Sequence, residues 1–210
     1  MTTYTITIGR DRIQFSRTEL RDLVIAWIAL GAAFAIFFGG GAYAFDPIAG
    51  FVWLLGISLL TAGIGFLLHE LAHKITAIRF GQVAEFRANY PMLAIAIAAA
   101  LAGFIFAAPG AVYHRGRSTL REHGIIAVSG PVTNIVLGLL FLPLVFVPVL
   151  FVAEVGRYGV LINFFLAAFN MIPYGPLDGQ TVRKWSTSVF VATFLVSLAL
   201  LLVSVVFLLF

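Results

Sequence analysis

Long apolar runs alternate with short polar interruptions along this chain, and the period of the pattern changes with position. Polar and apolar residues alternate singly from Thr3 to Ile8, the chain turns at Gly9-Arg10-Asp11, and alternation resumes from Arg12 to Phe15. A period of two on both sides of a glycine-containing turn predicts a β-hairpin. Ser16 and Glu19 have capping-box spacing, and the apolar run Leu23 to Phe45 that follows is long enough to cross a bilayer. Asp46-Pro47 has the form of an N-cap with a first-turn proline, opening a second helix from Ile48 to Phe80. Beyond it, "GQVAEFRANY" (81–90) is strand-like, Pro91 to Ala108 is apolar with Gly103 as a bend, and "VYHRGRSTLREHG" is a basic loop. Ile125 to Val152 spans again, Val160 to Ile172 is a shorter apolar segment, and Val189 to Phe210 is the last span.

Composition places the pattern in a membrane. Of 210 residues, 61% are hydrophobic and only 10% charged, and the mean hydropathy is +1.06. A soluble domain carries about 25% charged residues. No small-residue cleavage site follows the first apolar run, so it is read as a retained span. With no cysteine, disulfides and thiolate metal sites are excluded. The excess of 13 Lys+Arg over 9 Asp+Glu bears on orientation, not on nucleic acid. If every apolar run crosses, the basic residues divide eight against five between the two faces. If Pro91 to Ala108 dips in and returns to its own face, they divide twelve against one, with only Arg157 outside. The positive-inside rule prefers the second arrangement. The expected fold is therefore a membrane all-α bundle of five spans plus one re-entrant or interfacial segment, six spans if that segment crosses. The N-terminus and a small β-sheet lie on the cytosolic face, in a multi-pass protein of the cell membrane.

The chemistry sits in "FLLHELAHK" (66–74), where two histidines and a glutamate end some twenty apolar residues. His69 and His73 are four apart, so a helix puts both imidazoles on one face. Glu70 reaches the same place. This is the H-E-x-x-H arrangement, in which two neutral imidazoles hold Zn²⁺ and the glutamate serves as general base. Intramembrane ionisable residues also mark ion and proton pathways, so a metal-ion or proton transporter is the alternative class. Zinc needs a third protein ligand and an open position. His114 and His123 lie in the basic loop and are expected to be solvated, and Asp46 and Glu154 lie at span ends. Asp178 lies in "NMIPYGPLDGQ" (170–180) among Pro173, Gly175, Pro176 and Gly179, on a segment expected to be irregular. It can be a ligand on unwound backbone or one corner of an exposed P-L-D-G turn. Spacing leaves both open.

"HELAH" (69–73), "SGPVTN" (129–134) and "NMIPYGPLDGQ" (170–180), in this order, resemble the site-2 protease family of intramembrane zinc metalloproteases. The resemblance implies that His69 and His73 are zinc ligands, Glu70 is the catalytic base and Asp178 is the third ligand. It also implies that Asn134 and Asn170 line the active site or hold extended substrate, and that Gly130-Pro131 starts a closely packed helix. The PDZ or CBS modules of many family members have no room here, so 1–210 is one domain. Residues 1–20 form its hairpin and helix cap, 48–180 its catalytic core and 186–210 its last span. The expected protein is an intramembrane endopeptidase with one Zn²⁺ per chain, acting on transmembrane segments of single-span partner proteins in regulated intramembrane proteolysis. His69 lies eleven residues before Phe80, about 16 Å at ~1.5 Å per residue, which puts the metal in the cytosolic half of the bilayer.

Overall fold

The computed structural model describes residues 3–8, 11–45, 47–106 and 109–209. Strands β1 (Thr3–Ile8) and β2 (Asp11–Ser16) pair antiparallel as the alternation predicts, with Ile6 opposite Ile13. Gly9, Arg10 and Asp46 lie outside the described residues. Ser16 caps α1 (Arg17–Phe38) by accepting a hydrogen bond from Glu19 N. The Glu19 carboxylate does not reciprocate; it is drawn inward to Lys74. The second apolar helix runs continuously over Ile48–Arg79 as α2 (Ile48–Ser58), a π-turn (Leu59–Gly63) and α3 (Ile64–Arg79). At ~1.5 Å per residue its 32 residues measure about 48 Å, longer than a ~30 Å hydrocarbon core. The wide turn absorbs an extra residue and frees the Leu59 carbonyl, which accepts from Trp27 Nε1 at 3.0 Å.

Strand β3 (Val83–Ala88) leads into α4 (Tyr90–Leu101), and the chain comes back as β4 (Gly110–Arg115), antiparallel to β3. Ala88 is opposite Gly110. The apolar segment between them therefore begins and ends at one level of the bundle, as the re-entrant reading requires. Part of the expected basic loop is thus strand. The two hairpins form separate two-stranded sheets in place of the single small sheet expected.

Two carboxylates of α1 dress the outer edge of β3. Glu19 accepts from Phe86 N at 3.0 Å and Asp22 from Ala88 N at 3.3 Å. Alternate N–H groups of a strand point to opposite sides, so this edge of β3 is taken and, among the described residues, β4 keeps the free one. Glu19 also receives Lys74 Nζ at 2.6 Å on each oxygen, while the same ammonium reaches the Gln14 carbonyl at 2.6 Å and sits 4.2 Å from the Phe15 ring centroid. Lys74 and Glu19 are both essentially inaccessible. One buried ion pair thus ties α3 to β2, α1 and β3.

Helix α5 (Leu120–Phe141) opens earlier than expected, because Thr119 and Glu122 form a complete capping box. Gly130-Pro131 is consequently inside the helix and does not start it. A 3₁₀ turn (Leu142–Phe146) and the pair Pro143 and Pro148 end this helix, and α6 runs over Leu150–Asn170. The expected boundary between 152 and 160 is wrong: Glu154 and Arg157 ride on α6, where the Glu154 carboxylate accepts from Trp53 Nε1. Helices α7 (Asp178–Trp185) and α8 (Thr187–Leu209) complete the described chain. Among the described residues, five helices are long and apolar enough to cross a membrane. Helix α5 packs between α3 and α6, with α7 closing one end.

Two outcomes test this architecture. Removing one partner of a buried ion pair strands the other's charge, at a cost of about 3–5 kcal/mol. Glu19→Ala should therefore lower the unfolding free energy in detergent by that order, and a loss under about 1 kcal/mol would refute the tie. Single cysteines at Val83 and Arg117, which flank the returning segment, should both label from the same face of sealed vesicles. Labelling from opposite faces would mean that the segment crosses.

Candidate metal centre

His69 and His73 project from one face of α3 toward α5, and both are buried, at 5% and 7% exposure. His69 Nδ1 lies 2.6 Å from Asn134 Oδ1, and His73 Nδ1 lies 2.7 Å from the Ile126 carbonyl oxygen. A carbonyl oxygen can only accept, so each Nδ1 carries the hydrogen and donates it. Each Nε2 is then a bare lone pair. The two Nε2 atoms stand 2.9 Å apart, and Asp178 Oδ2 stands 3.2 Å from that of His69 and 3.4 Å from that of His73.

With both rings neutral, three acceptors thus face one another with no hydrogen between them. Asp178 Oδ2 is buried and has no donor. Such a cluster is repulsive unless a cation sits among its members. Ligand atoms on a tetrahedral ion with ~2.1 Å bonds are about 3.4 Å apart, close to the separations found. Two neutral imidazoles and one carboxylate also make a donor set that Zn²⁺ takes, with a position left open. By geometry and by chemistry, His69, His73 and Asp178 could hold this ion.

The neighbouring backbone is shaped around the cluster. A Cβ built on Gly130 would lie 2.5 Å from both Nε2 atoms, so only glycine lets α5 approach there. Asp178 does not sit on irregular chain as expected. It is the first residue of α7, and Leu177 precedes it in extended conformation. A Cβ on Gly179 would meet the Met171 carbonyl oxygen at 2.1 Å, so this glycine lets α7 start hard against the end of α6. The P-L-D-G sequence is thus a helix entry.

Glu70 is 7% exposed, and its Oε2 has no hydrogen-bond partner. It lies between two cavities. One, of about 320 Å³, is lined by Glu70, His69, Asn134, Asn170, the facing ends of β3 and β4, and Pro176-Leu177. The other, of about 190 Å³, holds Glu70, both motif histidines and Asp178 together with His114 and His123. Asn134 is wholly buried and bonded to His69, whereas Asn170 ends α6, gives one N–H to the Leu166 carbonyl at 2.9 Å and borders both cavities. His114 and His123, expected in a solvated loop, are half-buried with ring centroids 4.9 Å apart. Burial, followed by the nearby His123 and His73, pushes the His114 pKa below its usual value, which keeps this ring neutral at pH 7.

Sequence reading missed the Ile126 carbonyl, which carries no side-chain signal, and Asn163, the next link beyond Asn134. Asn163 did carry a signal: it is one amide within an otherwise apolar stretch of α6.

Among proteins of known description, the chain is 40% identical over 177 residues to a protein of Methanocaldococcus jannaschii named "Putative zinc metalloprotease MJ0611", covering 82% of this chain and 87% of that one. No protein-family model and no solved structure matches it.

If Asp178 is a metal ligand, Asp178→Asn keeps the shape but swaps an anionic oxygen for a weaker neutral donor. Metal analysis of the purified variant should show zinc largely lost. Full zinc content would remove Asp178 from the centre.

Proposed function

The chain belongs to the zinc metalloprotease family of this archaeal relative, and from that premise we propose that it is an intramembrane zinc endopeptidase of the H-E-x-x-H type. The single observation that carries the reading is the convergence of Asp178 Oδ2 from α7 on His69 Nε2 and His73 Nε2, which lie on a helix that is apolar enough to span. His69, His73 and Asp178 hold one Zn²⁺ per chain, which supplies Lewis acidity to water and to the carbonyl under attack. Glu70 takes the proton from that water and passes it to the leaving amine. Its unpartnered Oε2 is consistent with this role, because no protein donor competes for it.

The substrates of this proposal are transmembrane segments of single-span proteins in the same bilayer, cut in regulated intramembrane proteolysis. A helical substrate hides its carbonyls in its own hydrogen bonds, so it must unwind and find another partner for its backbone. The free edge of β4 supports such a partner by strand addition. Gly110 and Val112 of this strand line the cavity that contains the motif histidines and Asp178. The edge of β3 is taken by Glu19 and Asp22, so the substrate strand is assigned to β4. Asn170 still has an amide oxygen and one N–H to offer an extended chain. The larger cavity, with Leu30, Phe66 and Leu166 in its wall, receives apolar side chains. The His114–His123 cavity admits water from the cytosol. Cytosolic placement of both cavities, in a multi-pass protein of the cell membrane, follows the division of basic residues, twelve against one. Transport has no need of the H-E-x-x-H register.

The test is incubation of purified protein with model single-span substrates, with and without a zinc chelator. Glu70→Gln should abolish cleavage and still bind about one zinc per chain, since the base is lost and the ligands remain. Cleavage that survives in this variant would end the role given to Glu70.

A further inference from the structure

Among the described residues Asn163 makes its hydrogen bonds to Asn134 and Gly159 and not to the candidate ligands, yet its environment is hard to explain by packing. It is wholly buried in α6, and its neighbours from Val160 to Ala168 are all apolar. An unmatched amide there would be costly. Every bond that it makes has a forced direction. Its Nδ2 donates to the Gly159 carbonyl at 2.9 Å, and because that carbonyl only accepts, the amide cannot be turned round. Its Oδ1 must therefore accept, and it does so from Asn134 Nδ2 at 3.0 Å. Asn134 gives its other N–H to the Gly65 carbonyl at 3.2 Å. With both hydrogens committed, Asn134 has only Oδ1 left for His69 Nδ1, 2.6 Å away. Gly65 keeps the space open, since a Cβ there would stand 2.6 Å from Asn163 Oδ1.

We propose that Asn163 is a positioning residue for His69: acting through Asn134, it fixes the imidazole as the Nδ1–H tautomer and so keeps the Nε2 lone pair aimed at the metal position. The inference rests on the reading of His69 as a metal ligand. If Asn134 turned over, its N–H would face His69 Nδ1 and the hydrogen would move to Nε2, where it would block coordination. The turned amide would also set its oxygen against Asn163 Oδ1 and the Gly65 carbonyl. Asn163 supplies half of that opposition and places the Asn134 side chain. The bond polarity thus runs from a backbone carbonyl of α6, across α5, to a ligand on α3.

The experiment uses full-length protein labelled with ¹⁵N-histidine, with zinc affinity measured by chelator competition. Metal-free wild type should show His69 as Nδ1–H and bind one zinc; failure to bind zinc would sink the metal reading itself. Asn163→Val, apolar and not far from asparagine in size, should show His69 with hydrogen on Nε2 in part of the population. Its zinc affinity should fall about 10–100-fold, the usual cost of losing an outer-shell partner. Should that variant fail to fold, Asn163→Ala, which overpacks nothing, carries the same two readouts. Wild-type zinc affinity with a single Nδ1–H tautomer in the folded variant would overturn the proposal, because a purely packing role moves neither.

Discussion

The centre depends on a repulsion. His69 Nε2, His73 Nε2 and Asp178 Oδ2 are held within 2.9–3.4 Å of one another, and with neutral rings none has a hydrogen to give. Each is pinned from behind: His69 by Asn134, His73 by the Ile126 carbonyl, and Asp178 by the tight entry into α7. Gly130 leaves out a Cβ that would collide with both rings. The surrounding helices thus hold together a set of donor atoms that could take a dication. The free energy of such binding would in part stabilise the α3–α5–α7 arrangement, since the unfolded chain has no preformed site.

A second charge arrangement supports the first from the opposite side of α3. Lys74 follows His73 in the chain and points away, into Glu19, the Gln14 carbonyl and the face of Phe15. Glu19 in turn holds β3, and β3 holds β4. Strand β4 is therefore linked to the helix that carries His69 and His73 by a short run of buried polar contacts. Position along the bundle is thus shared between the β3–β4 sheet and the histidines, which are referred to the same rigid element.

What could be read from the sequence divides along physical lines. H-E-x-x-H was legible because helical periodicity alone places its side chains, and the N-terminal hairpin was legible because a period of two is unambiguous. The return of 91–108 was legible only through charge counting. Asp178 was not decidable locally: Pro176, Gly175 and Gly179 signal a turn and a helix entry equally well, and the contact with α6 that selects the entry is tertiary. Glu154 and Arg157 misled the placement of α6, because a charged pair in an apolar run looks like a boundary until Trp53 is found across from it. Pro131 misled in a similar way, since the capping box at Thr119 and Glu122 had already started that helix. His114 was assigned to a loop by its basic neighbours and not by its alternation, although it lies on β4.

The π-turn at Leu59–Gly63 gives the motif helix a rotational phase as well as a length. One residue more than an α-helical turn needs has been wound into the middle of the span, about 100° of rotation at ~3.6 residues per turn. Measured from α2, the face that carries His69 and His73 is set by that extra residue. Deleting any single residue between Ser58 and Ile64 would let the helix close into regular α-geometry, with a slightly shorter span of similar hydropathy. It would also swing one half of the helix about a quarter-turn against the other. Either the histidines would leave α5, or α2 would lose its seat on α1. A length change that hydropathy cannot detect would thus uncouple the membrane anchor from the chemistry.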